Sequence, residues 1–386
     1  MKRQRVCVIS TIATPLRIFM NPHIKALAKQ HDVVLVCNGA PEELKSLLGE
    51  HVSFVACPIQ RNIALTRDLR CLFWLWRFMR RNDFSAVHTL MPKSGLLGMM
   101  AAKFAGVPHR IHSFTGQVWV TRKGGMRYVL KTMDKLLAAC ASRLLTDSAS
   151  QMRFLVEQGI VNAKDIEVIA QGSVSGVDTS RFQFSAEKRA TVRAGLGLEQ
   201  DAVVFLFMGR VNPDKGVPEL LDAFRNVAAQ MGNAHLVIVG PAEGDLDTSI
   251  ECAKLDTHGR VHRVGYTDRP EDYMAASDVF CLPSHREGFG TVIIEAAAVG
   301  VPAIASRIYG ITDAVVDGST GLLHPVQNVD AIASLMKQLA TDSALRMRFG
   351  EAAQQRAREH FSQETVVQAM MAFYDRQGVS SVQQQA

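Results

Sequence analysis

Short runs of β-branched and apolar residues recur along this chain, with room for one helix between most of them, and that recurrence constrains the fold more than any other feature. The first half predicts strands at Val6 to Ser10, Val33 to Cys37, Ser53 to Cys57, Ala86 to Leu90, Arg110 to Phe114, Leu144 to Asp147 and Glu167 to Ile169. The second half repeats the pattern at Val203 to Gly209, His235 to Gly240, Val261 to Gly265, Val279 to Pro283, Ala303 to Ser306 and Gly321 to His324. Strands alternating with helices build parallel sheets covered on both faces, so the expected class is α/β with two Rossmann-like, doubly wound domains. A length of 386 residues with 47% apolar content supplies a core for each.

The stretch from Gly172 to Arg193 carries glycine, serine and charge with little periodicity, which places the linker near residues 176–190. We therefore expect an N-terminal domain over residues 1–182 and a C-terminal domain over 183–362. Residues 363–386 would form a terminal helix, about Gln363 to Arg376, able to pack on either domain, and a polar disordered tail. Ligands of open α/β sheets bind beyond the carboxyl ends of the strands, so the expected site is a cleft where two such sheet edges face each other.

The opening MKRQRVCVIS reads as a first strand rather than a signal peptide. The most apolar stretches, Leu72 to Phe78 and Leu136 to Ala141, are broken by charge well short of the roughly 18–20 residues that cross a bilayer. Seven scattered cysteines without a C-x-x-C pair predict buried thiols in a reducing compartment, hence a cytoplasmic protein. The net charge of +6 hides an asymmetry: residues 1–182 hold 25 Lys and Arg against 12 Asp and Glu, and the remainder holds 18 against 25. A basic first half attracts an anionic membrane surface, nucleic acid or a phosphorylated substrate. Arg61 to Arg81, with six arginines among Leu65, Leu69, Leu72, Phe73, Trp76 and Met79, predicts a helix that either packs Leu and Trp on its domain or lies on a membrane. Thr121 to Lys135 reads as a basic loop leading into a helix, with the same two uses.

Two motifs carry the chemistry. After the first strand of the second half comes GRVNPDKG, Gly209 to Gly216, and then a helix, which puts Arg210 and Lys215 at a sheet's carboxyl edge, where a planar fork and a point charge can hold a diphosphate. The competing reading pairs Arg210 and Lys215 with Asp214 or Glu219 across the turn. After the strand at Val279 comes SHREGFGTVIIEA, Ser284 to Ala296, in which Gly288, Phe289, Gly290 and Thr291 open a helix whose first amides can cradle a phosphate. Glu295 can accept two hydrogen bonds from a ribose diol, and Glu287 can face sugar hydroxyls or merely cap the helix dipole. The one D-x-D, Asp245 to Asp247, sits in a polar loop, and no metal site is expected.

With Gly300-Val301-Pro302 and DGSTGLL at Asp317 to Leu323, these motifs resemble the donor-binding half of the retaining family-4 glycosyltransferases of the GT-B fold. The resemblance is strong over about residues 200–360 and mostly one of layout before that. It implies that Arg210 and Lys215 hold the donor diphosphate, Glu287 the sugar and Glu295 the ribose, with retention of configuration and no metal or other cofactor. The first half departs from the family. Where relatives carry a Gly-Gly loop after the first strand, this chain has Ser10-Thr11-Ile12-Ala13-Thr14-Pro15; where they carry His-Gly, it has Thr115-Gly116, with His112 three residues earlier. His112 is then either a buried structural residue or a functional one. Thr115, Gly116 and Gln117 are expected at the cleft lip, and Thr14 and Arg17 toward the acceptor or the diphosphate, unless that loop is only a helix N-cap.

The expected function is transfer of a hexosyl or N-acetylhexosaminyl unit from a nucleoside-diphosphate sugar, UDP by family habit, to a hydroxyl of a lipid-diphosphate-linked saccharide at the inner membrane face, in surface polysaccharide assembly. Two rivals stand beside it: a GT-B-like sugar-nucleotide epimerase or hydrolase, and a non-catalytic basic protein that binds membrane or nucleic acid. The motif acids and cations argue against the second, so nucleic acid is not the expected partner.

Overall fold

Val203–Met208 is buried on both faces, as a central parallel strand covered by helices must be, and it is one of thirteen strands in the computed structural model, which describes residues 3–243 and 246–379. One unit runs to Gly176 and takes in the chain again from Gln363; the other is Val177–Ser362. The first contains β1 (Arg5–Ile12), α1 (Ala13–Ile18), α2 (Asn21–Ala28), β2 (Asp32–Asn38), β3 (Val52–Ala56), α3 (Leu65–Asn82), β4 (Ala86–Leu90), α4 (Pro92–Ala105), β5 (His109–Phe114), α5 (Gly124–Cys140), β6 (Arg143–Thr146), α6 (Ala149–Glu157) and β7 (Ile166–Val168). Its sheet runs β3-β2-β1-β4-β5-β6-β7. The second contains α7 (Ala186–Gly195), β8 (Val203–Met208), α8 (Val217–Ala228), β9 (Ala234–Val239), α9 (Leu246–Asp256), β10 (Val261–Val264), α10 (Pro270–Ala276), β11 (Val279–Leu282), α11 (Thr291–Val299), β12 (Ala303–Ser306), α12 (Ile311–Ala314), β13 (Gly321–His324), α13 (Val329–Thr341) and α14 (Ser343–His360). Its sheet runs β10-β9-β8-β11-β12-β13, and every strand pairing in both sheets is parallel.

Reversal of strand order beside β1 and β8 is the doubly wound arrangement, and it gathers the loops after β1, β4, β8 and β11 at the carboxyl edges. The last helix, α15 (Gln363–Arg376), belongs to the first unit, where Val366, Met370, Phe373 and Tyr374 join the core of Ile24 and Leu27. The Tyr374 hydroxyl lies 2.6 Å from Nδ1 of buried His88, whose Nε2 lies 2.8 Å from Ser113 Oγ.

The division falls six residues earlier than the expected boundary at 182. Val177 and Phe182 pack in the second core, and the Val177 amide donates to the Phe361 carbonyl at 2.7 Å. A helix also stands where little periodicity was read. Ser185 caps α7, and the helix is fixed by ion pairs rather than an apolar stripe: Lys188 to Asp272 at 3.0 Å, and Arg189 and Arg193 both to Asp278 at 2.7 Å. Of the tail expected from Gly378 onward, residues from Ser380 lie outside the described part, as does Asp245 of the D-x-D; Asp247 pairs with Arg263 at 3.1 Å. Among the described residues no helix is long and apolar enough to cross a membrane.

The arginine-rich helix packs Leu72, Trp74 and Trp76 against the first unit's core, as one of the two readings has it, but only part of its apolar face is covered. Cys71, Leu75 and Met79, spaced four apart, form its buried seam, while Leu65, Leu69 and Phe73 remain 60–73% exposed. Thr121 to Lys135 is a short loop leading into a helix, as read, with α5 beginning at Gly124.

Candidate functional site

The loops after β8 and β11 lock together. Asn212 opens the turn after β8 by accepting a hydrogen bond from the Lys215 amide at 3.1 Å, and Gly216 follows with φ 70°. A side chain at Gly216 would collide with the Pro283 carbonyl, so only glycine lets the two loops touch there. Gly310, at φ 84°, packs as closely on the carbonyl of Gly288 from the far side. Gly216→Ala combines a left-handed backbone costly for alanine with that collision and should destabilise the protein by roughly 2–4 kcal/mol. Thermal unfolding checks this: an unchanged midpoint would mean the loops are not locked.

That contact brings Lys215 and Glu287 together. Lys215 Nζ pairs with Glu287 Oε1, which also accepts from Ser284 Oγ at 2.9 Å. The side chains are only 19% and 14% exposed, so their charges are less screened than those of a surface pair. Arg210 projects where β8 ends, 53% exposed, and meets both Glu243 oxygens at 2.8 and 3.0 Å, with Asn212 Nδ2 donating to the same carboxylate at 2.9 Å. The local pairing weighed against a ligand role does not form. Asp214 pairs instead with Arg286 at 3.1 Å, and Glu219 with His285 at 3.0 Å. Both cations are therefore held from other loops, at the edge where an anion would be bound.

α11 begins after Gly290, which takes φ 78°, and Thr291 is its first residue; the Ile293 amide bonds the Gly290 carbonyl at 2.8 Å, and the amides ahead of it lie before the first intrahelical partners. Phe289 turns its ring into the core, 2% exposed and edge-on to Phe361 at 5.2 Å, which leaves only its backbone for a ligand. Its apolar side chain follows the core, a preference the motif alone does not reveal. Glu295 lies half-buried in the second turn and is not paired with Lys215, Arg210 or Glu287. Burial pushes its carboxyl up to about 7, against the nearby Arg181 guanidinium and with the help of Glu271. Arg181 itself grips Glu271 at 2.9 Å. Glu243, Arg181 and Glu271 escaped sequence reasoning because each reaches its partner from another element; Ser284, which shares the loop with Glu287, carries a signal in its place three residues before it.

In the first unit, β1 runs on to Ile12 and passes directly into α1, so no loop stands where relatives carry glycines. Thr14 and Arg17 are exposed on α1, and Thr14 is not its N-cap, a place Ile12 takes without a side-chain bond. Thr115 and Gly116 follow β5, half-buried, in a shallow depression shared with Met91, Pro92, His112 and Asp134. Gln117 is buried, not at a lip, and its Oε1 accepts from Gln151 at 3.3 Å. His112 is buried as well: it bonds Thr89 Oγ1 at 2.8 Å and packs edge-on to Phe114 at 4.7 Å, and burial holds its ring neutral, pushed down to about 3. Met91, at the carboxyl end of β4, adopts φ 68° and ψ 148°, a conformation costly for any residue but glycine. Among the described residues, no group of three or more His, Cys, Asp or Glu side chains is arranged to hold a metal.

Residues 188–356 match the family model described as glycosyl transferases group 1, and residues 21–172 match that of the glycosyl transferase 4-like domain. The chain is 29% identical to the capsular polysaccharide biosynthesis glycosyltransferase CapM of Staphylococcus aureus, over 97% of this chain and 98% of that one. It is 28% identical to the Escherichia coli UDP-Gal:alpha-D-GlcNAc-diphosphoundecaprenol alpha-1,3-galactosyltransferase, over 82% of each. Its fold is similar to that of the Anabaena protein HepE, crystallised with UDP, with a TM-score of 0.80 at 17% identity over 97% of this chain and all of that one.

Proposed function

Because the chain belongs to the family-4 glycosyltransferases of the GT-B fold, we propose that it moves a hexosyl or N-acetylhexosaminyl unit from a UDP-sugar to a hydroxyl of a lipid-diphosphate-linked saccharide, with retention of configuration. The observation that carries this reading is the buried contact of Lys215 with Glu287 across the two glycine-locked loops. A cation beside an acid at a sheet's carboxyl edge can serve a diphosphate and a sugar hydroxyl at once. In the reaction the bond from the anomeric carbon to the phosphate oxygen breaks, the acceptor oxygen bonds to that carbon, and the acceptor proton passes to the departing phosphate. Lys215 and Arg210 offset the charge that develops on the leaving diphosphate, Glu287 orients sugar hydroxyls, and Glu295 accepts from the ribose diol. The lipid-linked acceptor is supported by the name of the E. coli relative, and a place in surface polysaccharide assembly by that of CapM. The basic first half supports work as a peripheral protein at an anionic membrane face.

The test is release of UDP coupled to a new glycosidic product, with the product's anomeric configuration read by NMR. Sugar loss or epimerisation without acceptor would replace this reading with that of a hydrolase or epimerase. The two cations make a metal unnecessary in this scheme, so activity should persist within about twofold after exhaustive chelation. Abolished turnover, restored by a divalent cation, would refute metal independence.

A further inference from the structure

The first unit contains a concavity that the transfer scheme leaves unused. Its volume is about 460 Å³, walled by Leu65, Leu69, Leu96, Met100, Leu130 and Met133 of α3, α4 and α5. Leu65 and Leu69 are 73% and 66% exposed, because α3 turns its Cys71, Leu75 and Met79 seam inward and leaves these leucines on the rim. We propose that this groove seats the aliphatic chain of a lipid-linked acceptor, an inference that rests on the acceptor class proposed above.

Three features select that occupant. The volume belongs to the class of about 300–1,000 Å³ that takes small molecules, whereas protein partners usually dock on broader, flatter faces of about 800 Å² a side. The groove adjoins a second, shallow depression: Met91, Pro92 and Asp134 line both it and the depression beside Thr115 and Gly116. The strained Met91 sits at that junction. The charge on the lining fits a diphosphate. Lys93 is neutralised by Asp68 at 2.6 Å, but Arg61, also on the lining, is exposed with no acidic partner among the described residues. An apolar trough with an unpaired guanidinium on its lining matches a prenyl chain ending in phosphate.

The experiment is detergent-free titration of the full chain with geranylgeranyl diphosphate, beside Leu96→Trp, which fills the trough, and Leu69→Gln, which sits on the exposed rim and does not threaten folding. Wild type should bind one equivalent, both variants at least tenfold more weakly, with unchanged affinity for UDP as evidence of intact structure. Inorganic diphosphate should not displace the probe. Equal binding by wild type and variants, displacement by inorganic diphosphate, or partition into neutral vesicles that both variants match would overturn the proposal. With saccharide acceptors, the KM advantage of a long chain over a short one should shrink at least tenfold in the variants. Because the titration needs no turnover, saturable prenyl binding without transfer to any lipid-linked saccharide would sink the proposed reaction and leave the groove standing.

Discussion

Lys215→Ala should lower kcat by about 10²–10³-fold, the usual loss when a preorganised group stabilising developing charge is removed. The ammonium is fixed before any donor arrives, by the Asn212 turn behind it and Glu287 in front, so binding does not spend entropy ordering it. As the bond to the anomeric carbon breaks, negative charge on the diphosphate grows, and the attraction strengthens more in the transition state than in the bound donor. kcat should therefore fall more than KM rises. Arg210→Ala should cost less, about tenfold, because a guanidinium 53% exposed acts through water and salt. The fold should survive both changes. Without Lys215, Glu287 keeps the Ser284 hydroxyl, and circular dichroism with a cooperative melt would verify that the loss is chemical. Undiminished turnover of Lys215→Ala would remove the donor site from the loops after β8 and β11.

The layout of both sheets was legible because a buried parallel strand leaves a compact trace: Val203–Met208 reads VVFLFM, and each expected strand lies within about two residues of the observed one. The backbone of the two motif loops was legible for a related reason. Their glycines serve local backbone geometry, and local geometry is written in sequence. What could not be read depends on partners far along the chain. Arg210 finds Glu243, which lies 33 residues on and beyond another strand, rather than the nearby Asp214. α7 shows no apolar stripe because Arg189 and Arg193 fasten it to Asp278. Burial on both sides of a strand or loop also defeats an alternation argument. Gln117 looks like an exposed polar residue in sequence and is sealed in the structure, where a hydrogen bond from Gln151 makes its burial tolerable. The exposed Leu65 and Leu69 show the converse, apolar residues read as packing that the fold leaves for something else.

Glu295 should impose a pH dependence that runs in opposite senses for stability and for donor binding. Its carboxyl titrates near 7 in the folded chain against an ordinary value of 4.5, so between those values the folded state holds a proton that the unfolded state has released. The stabilisation is complete below about 4.5 and lost as pH rises through 7, a swing on the order of 3 kcal/mol from the size of the shift. Glu295→Gln cannot ionise, so its unfolding free energy should match wild type near pH 4 and exceed it at pH 8. Donor binding points the other way. A ribose diol donates two hydrogen bonds, and the ionised carboxylate receives both better than a neutral acid. Wild-type affinity for UDP should rise about tenfold from pH 6 to pH 8, with proton release visible as buffer-dependent heat in calorimetry, while the glutamine variant binds more weakly at pH 8 and without that slope. A carboxylate kept at the expense of stability, and needed only when a diol arrives, is what a binding residue requires and a packing residue does not. Flat wild-type affinity across that range, or a glutamine variant that binds UDP as well as the parent, would detach Glu295 from the ribose.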